Sequence, residues 1–366
     1  MIAVLPGDGI GPEVTACARR VLAAVRPDLK FEEFAVGAAA VVARAMALPD
    51  ATLAGCERAD AILFGAVGGT QFDGAPPQQR PEYALLTLRK HFDLYANVRP
   101  ATMFAGLESR SPLRPDLAAV LDLVIVRELT GGLYFGEKTI ETIDGVECAR
   151  ETMSYRAPDI ERVVRFAFEL ARTRGKRLTS VDKVNVLVNS QLWRRTAIRV
   201  SADYPDVAFD HLLVDNAAMQ LVRDPGRFDV LVMENMFGDI LSDEAAALGG
   251  SIGMAPSASI GTRATPGGRY GLYEPIAGTA PDIAGRGIAN PTAAILSAAL
   301  LLRFSLGDEA NAKAIEDGVR ATYAAGARTA DLVSAGEPSL SSSAFTDACL
   351  RNLQLTQPAL EIASPN

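Results

Sequence analysis

Residues 230–248 read V-L-V-M-E-N-M-F-G-D-I-L-S-D-E-A-A-A-L, and this stretch sets the architecture. Four apolar residues, Val230–Met233, suit a buried strand. The run that follows Gly238 has helical spacing through Leu248, so a strand feeds a helix through a short polar turn. The helix puts Asp239 and Asp243 four residues apart, stacked on one face. Two hard carboxylate ligands are what Mg²⁺ or Mn²⁺ takes from a protein. With 44 acidic residues in 366, chance supplies roughly five such acidic pairs, so spacing alone does not make a site. The plainer role is to complement the positive end of the helix dipole.

Working outward, the same alternation recurs. Apolar runs at 2–5 (I-A-V-L), 61–64 (A-I-L-F), 123–126 (L-V-I-V) and 207–214 (V-A-F-D-H-L-L-V) are separated by helical patterns. Continuous apolar strands fit a sheet covered by helices on both faces. The first helix opens at Pro12 and sets Val14, Ala18, Val21, Leu22 and Val25 on one side. Further helices are expected near 82–91, 159–174, 190–202, 238–248, 292–306 and 309–324. The segment 133–155 lacks helical spacing, is rich in Thr, Val and Ile, and carries Asp144-Gly145. It reads as a β-hairpin arm that leans on another surface, a second subunit being the natural one.

Length and composition narrow the classes. A chain of 366 residues exceeds one ordinary core, which favours two domains. A net charge of −8 argues against nucleic acid as the main partner. The apolar run 293–302 is too short to span a membrane. Met1 leads straight into a strand-like segment, with no basic leader, so a cytoplasmic protein is expected. Cys17, Cys56, Cys148 and Cys349 lie far apart and fit reduced, mostly buried thiols. His91 and His211, the two histidines, read as structural, which argues against a His–Asp catalytic pair or a zinc site.

Around the aspartate pair, other motifs supply chemistry. Residues 126–136, V-R-E-L-T-G-G-L-Y-F-G, offer Arg127 and Tyr134. V-D-K at 181–183 offers Lys183, and V-D-N at 214–216 offers Asp215. Arg89, Arg99 and Arg127 end apolar segments, where guanidinium forks can hold carboxylates. Gly7-Asp8-Gly9-Ile10-Gly11 follows a strand, but the position of the third fingerprint glycine is Pro12. It is therefore read as a tight turn beside a ligand cleft and not a Rossmann dinucleotide loop. Residues 272–291 mix small residues with Glu274, Asp282 and Asn290. An aspartate in such a loop accepts from ribose hydroxyls and repels a 2′-phosphate, favouring NAD over NADP.

Together these segments resemble the metal-dependent β-decarboxylating dehydrogenases of 2-hydroxy diacids, the isocitrate/isopropylmalate dehydrogenase family. The likeness runs from L-P-G-D-G-I-G-P-E-V to A-N-P-T-A-A-I-L-S, most of the chain, and is carried above all by F-G-D-I-L-S-D-E, V-R-E-L-T-G-G-L-Y-F-G and A-P-D-I-A-G-R-G-I-A-N-P. It implies an open α/β sheet unrelated to the Rossmann fold. The first domain would be 1–94 plus 250–366, on the cofactor side. The second would be 95–249, carrying the homodimer interface and the arm near 133–155. By the same resemblance, Arg89, Arg99 and Arg127 bind the substrate carboxylates. Asp239 and Asp243, with the partner chain's copy of Asp215, bind Mg²⁺ or Mn²⁺. Tyr134 and a Lys183 from the partner are the acid–base pair. Ile10 and Asn185 lie near the nicotinamide of NAD, while Glu274, Gly278, Asp282, Ile283 and Asn290 hold the cofactor, Glu274 among those at its adenosine half.

The resemblance further implies that the substrate side chain is read by Glu82, Leu85 and Leu86, faced by Val186 from the partner. Leucines suit a branched alkyl group better than a third carboxylate. The implied activity is NAD-dependent oxidative decarboxylation of 3-isopropylmalate to 4-methyl-2-oxopentanoate, in leucine biosynthesis. Another 3-substituted malate, malate or tartrate is an open alternative, as is a non-catalytic regulatory chain. Ala277, Val188 and Tyr83 depart from residues frequent in the family.

Overall fold

The computed structural model describes residues 1–353 apart from Asp73 and Ala335. Among these residues ten strands form one sheet, which starts with β1 Ile2–Gly7, β2 Phe31–Glu33, β3 Ala61–Ala66, β4 Ala96–Thr102 and β5 Asp122–Glu128. The hairpin strands β6 Lys138–Ile143 and β7 Val146–Glu151 stand apart as a second, two-stranded sheet. The main sheet is completed by β8 Arg177–Asp182, β9 Ala208–Leu213, β10 Val230–Met233, β11 Pro256–Thr265 and β12 Gly268–Pro275. Its order is β2-β1-β3-β12-β11-β4-β5-β10-β8-β9.

The centre of this order decides the shape. Strands β2, β1, β3 and β12 are mutually parallel, as are β5, β10, β8 and β9. Between the two groups come three antiparallel pairings, β12–β11, β11–β4 and β4–β5. Three reversals leave the two parallel groups running in opposite directions, an arrangement no doubly wound Rossmann sheet has. All strands on one side of the β11–β4 line come from residues before 67 or after 255, and all on the other from 96–233.

Alternation along the strands buries both faces. Ile2, Ala61 and Leu63 join one apolar cluster, whereas Ala3, Leu5, Ile62 and Phe64 join another with Leu88 and Tyr270. The helix Thr292–Phe304 is buried on almost every side, from Thr292 through Leu302, as its apolar sequence requires. Among the described residues no helix is long and apolar enough to cross a membrane.

The hairpin turns at Asp144 and Gly145, both with positive φ (50° and 79°), the two-residue turn that the twist of a hairpin favours. Both its strands are exposed along their length apart from half-buried Cys148, with Ile140 and Val146 in solvent. Strand β9 differs from its sequence reading. It is the open edge of the sheet and not a strand covered on both faces, and His211 is half-buried there with no partner for Nδ1 among the described residues.

Candidate active site

The helix Asn235–Leu248 begins under Glu234, whose carboxylate accepts from the N–H groups of Met236 and Phe237. Gly238 lets this helix close on β5, because a Cβ there would sit 2.6 Å from Arg127 Cβ. The close approach runs Arg127 along the helix: Nε donates to Asn235 Oδ1 (2.8 Å) and the terminal nitrogen pairs with Asp239. Tyr134 donates its hydroxyl to the other Asp239 oxygen at 2.7 Å, its ring 5.5 Å from the Arg127 guanidinium carbon.

One turn on, Asp243 accepts from Arg99 of β4 at 3.0 Å, and the same Arg99 nitrogen donates to Ser242 Oγ at 2.7 Å. Arg99 Nε is held by Asn97 Oδ1 (2.8 Å), itself fixed by Ser257 and Ser259 of β11. Burial pulls the Arg127 guanidinium down to about 10, with Arg99 adding repulsion, and it stays cationic at neutral pH. Burial pushes the Asp243 carboxyl up, opposed by Arg99. Burial and the Asp239 carboxylate hold the Tyr134 phenol above its ordinary value, so it keeps its proton.

Two adjoining cavities lie beside the cluster, one of them lined by Arg99. The smaller, about 210 Å³, is lined by Leu85, Arg89, Arg99, Ser257 and Glu274. The larger, about 340 Å³, is lined by Ile10, Val14, Ile252, Gly253, Ile283, Asn290, Ala293 and Asp331. Gly65, Ala66, Pro275, Ala277 and Gly278 line both, so the two are compartments of one cleft. The turn at Gly7–Gly11 brings Ile10 to the larger cavity. Gly7 and Gly9 have φ of 72° and 59°, and the buried Asp8 carboxylate accepts from Ala38 N, Ala39 N and Gly68 N. In the first turn of the helix that follows, Glu13 accepts from Gly287 N and Ala289 N, both at 3.0 Å, fastening the Gly-rich loop to that helix.

The structure thus brings together Arg89, Arg99, Arg127, Tyr134, Asp239, Asp243 and Leu85, with Ile10, Gly278, Ile283 and Asn290 next door. Glu274 is the residue expected at the adenosine half of the cofactor. It is buried in the smaller cavity and accepts from Arg89 at 2.9 Å. Residues 89 and 274 come from different elements, and nothing in the loop motif announces that pairing. Glu82 and Leu86 are exposed on the Leu85 helix, and Asp282 is exposed beside Ile283.

Lys183, Asn185, Val186 and Asp215 form a separate group past the end of β8. Lys183 Nζ donates to Asp215 Oδ1 at 2.6 Å, and the ammonium holds the Asp215 carboxyl below its usual range. Asn185 and Val186 face solvent within one chain. Among the described residues no three metal-ligating side chains gather in a single chain. Sequence reading also missed Asn235, Ser242 and Glu13, which hold the arginines and the loop. Each sits inside a quoted motif, and its helical spacing from the chemical residues was the available signal.

The profile of the isocitrate/isopropylmalate dehydrogenase family matches residues 1–349. A curated 3-isopropylmalate dehydrogenase of Vibrio cholerae is 52% identical, covering 94% of this chain and 96% of its own. One of Geobacillus kaustophilus is 54% identical over 92% and 90%. Among solved structures, isocitrate dehydrogenase from Methylococcus capsulatus superposes with a TM-score of 0.84 at 36% identity, covering 96% of this chain and 98% of that one. A β-decarboxylating dehydrogenase from Thermococcus kodakarensis gives 0.78 at 36% identity, over 96% and 95%. This chain belongs to the isocitrate/isopropylmalate dehydrogenase family. Within it, the curated relatives just named are 3-isopropylmalate dehydrogenases.

Proposed function

We propose that the chain catalyses the NAD-dependent oxidative decarboxylation of 3-isopropylmalate to 4-methyl-2-oxopentanoate in leucine biosynthesis. The observation that carries this reading is the divided cleft. An apolar compartment sized for part of a dinucleotide opens onto a smaller one holding Leu85 and two arginines. Arg89 spends one nitrogen on Glu274, and its Nε is buried with no partner among the described residues, a donor suited to a substrate carboxylate. Leu85 gives that compartment an apolar side for the isopropyl group.

Asp239 and Asp243 suit a divalent cation. They stand on one helix face, and their side chains are 34% and 53% exposed despite their arginine partners. A bound Mg²⁺ or Mn²⁺ would acidify the substrate hydroxyl and offset charge on oxygen after CO₂ leaves, while NAD⁺ would take the hydride. Arg89, Arg99 and Arg127 hold the two carboxylates and fix which carbon faces the cofactor compartment. Lys183, once it has lost its own proton to become the amine, takes the hydroxyl proton, and Tyr134 returns a proton to carbon after decarboxylation. Asp282, at the mouth beside Ile283, disfavours a 2′-phosphate and so NADP.

Because Lys183 and Asp215 pair with each other and not with the Asp239 group, they serve the site of a second copy. That supports a homodimer with shared active sites, built on the 95–249 domain and its exposed arm and set against a 1–94 plus 250–366 domain. The test is an assay of purified protein on a panel of 2-hydroxy diacids with NAD⁺ and NADP⁺. 3-Isopropylmalate with NAD⁺ and Mg²⁺ or Mn²⁺ should give the highest kcat/KM. Preference for malate or tartrate would shift the substrate, and inactivity on every diacid would leave a regulatory chain.

A further inference from the structure

We propose that Arg162 is a positioning residue for the reaction: it fastens the loop carrying Tyr134 to the junction between the two halves of the sheet. The inference rests on the reading of Tyr134 as proton donor and Arg127 as carboxylate holder. Arg162 lies in the second turn of the helix Ala157–Arg172 and lines neither compartment of the cleft. One of its terminal nitrogens donates to both oxygens of Asp93, at 2.9 and 2.8 Å. Asp93 stands just before β4 with a φ of 46°, left-handed for a residue with a Cβ, and Thr262 of β11 also donates to it at 3.1 Å. The guanidinium carbon lies 4.8 Å from the ring centre of Tyr95, the residue that leads into β4. Arg162 is therefore seated at the entry to β4, where Asp93 also ties in Thr262 of β11, and β4 and β11 are the antiparallel pair that joins the two parallel groups.

The other terminal nitrogen reaches the catalytic side. It donates to Thr130 Oγ1 at 2.9 Å, and that hydroxyl donates onward to Glu128. Glu128 is fully buried and also accepts from Thr130 N (2.9 Å) and Gly131 N (2.8 Å), which fixes the backbone where the loop leaves β5. Gly131 O accepts from Asn235 Nδ2 at 2.9 Å, and Asn235 Oδ1 accepts from Arg127 Nε at 2.8 Å. An unbroken polar chain thus runs from the sheet junction through Arg162 to Arg127, and through the 128–131 backbone to the loop of Tyr134. A planar guanidinium bridges Asp93 and Thr130 at once, and a lysine ammonium at the same Cα has no matching fork. A proton donor misplaced by an ångström loses rate while distant cofactor contacts stay intact, so the signature belongs in kcat.

The experiment uses the full-length enzyme with Arg162→Gln, Arg162→Lys and Thr130→Val, each alone and combined with Tyr134→Phe. Thr130→Val leaves the Arg162–Asp93 pair and its stability in place and cuts only the loop end. Arg162→Gln and Thr130→Val should lower kcat on 3-isopropylmalate roughly 10-fold or more, with Arg162→Lys between them and wild type. KM for NAD⁺ should hold within about twofold, and in the Tyr134→Phe background the Arg162→Gln effect on the residual rate should shrink to about twofold or less. Folded Thr130→Val and Arg162→Lys enzymes with wild-type kcat would overturn the proposal. So would an Arg162→Gln loss of equal size with and without Tyr134→Phe, and this outcome leaves the proton-donor reading standing. A fully active Tyr134→Phe enzyme instead removes that reading, and the positioning role with it.

Discussion

Leu85 and Leu86 are neighbours on the helix Pro81–His91, yet only Leu85 lines the Arg89 compartment while Leu86 is 44% exposed. Within one chain, substrate reading therefore falls first on Leu85. Leu85→Ser should reduce kcat/KM for 3-isopropylmalate relative to unsubstituted malate by roughly 1–3 kcal/mol, because the alkyl contacts are lost only for the branched substrate. Equal losses on both substrates in paired steady-state assays would remove Leu85 from side-chain recognition. The thiols offer a pH test. Burial pushes Cys56 and Cys349 up to about 12 and raises Cys17, so the reactive thiolate is scarcer in the folded protein than in a free thiol. These three should resist a thiol reagent from about pH 7 to 9 in the native state and react at once on unfolding. Rapid native labelling of more than one thiol per chain would contradict that burial. At this scale the sequence disclosed which residue types were present, but not the Arg89–Glu274 pairing, because the two side chains meet only after β12 is placed beside β3.

Elements follow the same logic. Strands made of uninterrupted apolar residues, Ile2–Gly7, Ala61–Ala66 and Val230–Met233 among them, were legible because both faces are covered by helices. Strand β4 was not, since Asn97, Arg99 and Pro100 break its apolar pattern. Those are the residues that reach into the site or mark the junction, so the pattern fails where function overrides burial. Strands β8, β11 and β12 escaped for a similar reason: Ser180, Ser257, Ser259 and Arg269 interrupt their apolar runs and bond side chains of other segments. The first helix was legible and has a second duty through Glu13. Glu13→Gln keeps the length but offers one acceptor oxygen where two N–H groups, of Gly287 and Ala289, each now have their own. Leaving one buried donor short costs about 1–3 kcal/mol of loop stability. KM for NAD⁺ should rise several-fold while kcat at saturating NAD⁺ stays near wild type. An unchanged KM would mean that the loop keeps its shape without that anchor.

For the whole molecule, the decisive question is which residues share a site. In one chain, Tyr134, Asp239 and Asp243 lie with Arg99 and Arg127, whereas Lys183 pairs with Asp215 past the end of β8. The sheet sets Lys183 apart from Arg127, because β8 is divided from β5 by β10, and the helix that follows β10 turns Asp239 and Asp243 to Arg127 and Arg99 and not to Lys183. If each site takes its base and third carboxylate from a second copy, a Lys183→Ala chain and an Asp239→Asn chain should each be nearly inactive as homodimers. Mixed, unfolded and refolded together, they should recover activity. In the heterodimer one site collects both defects and the other collects neither, so activity per heterodimer should approach half that of wild type. Differently tagged chains, purified through both tags, make the heterodimer fraction measurable. Activity that tracks this fraction supports the shared site. A purified heterodimer no more active than its parents would return Lys183 to its own chain, and the cleft would then have to close far enough within one chain to bring β8 to Asp239.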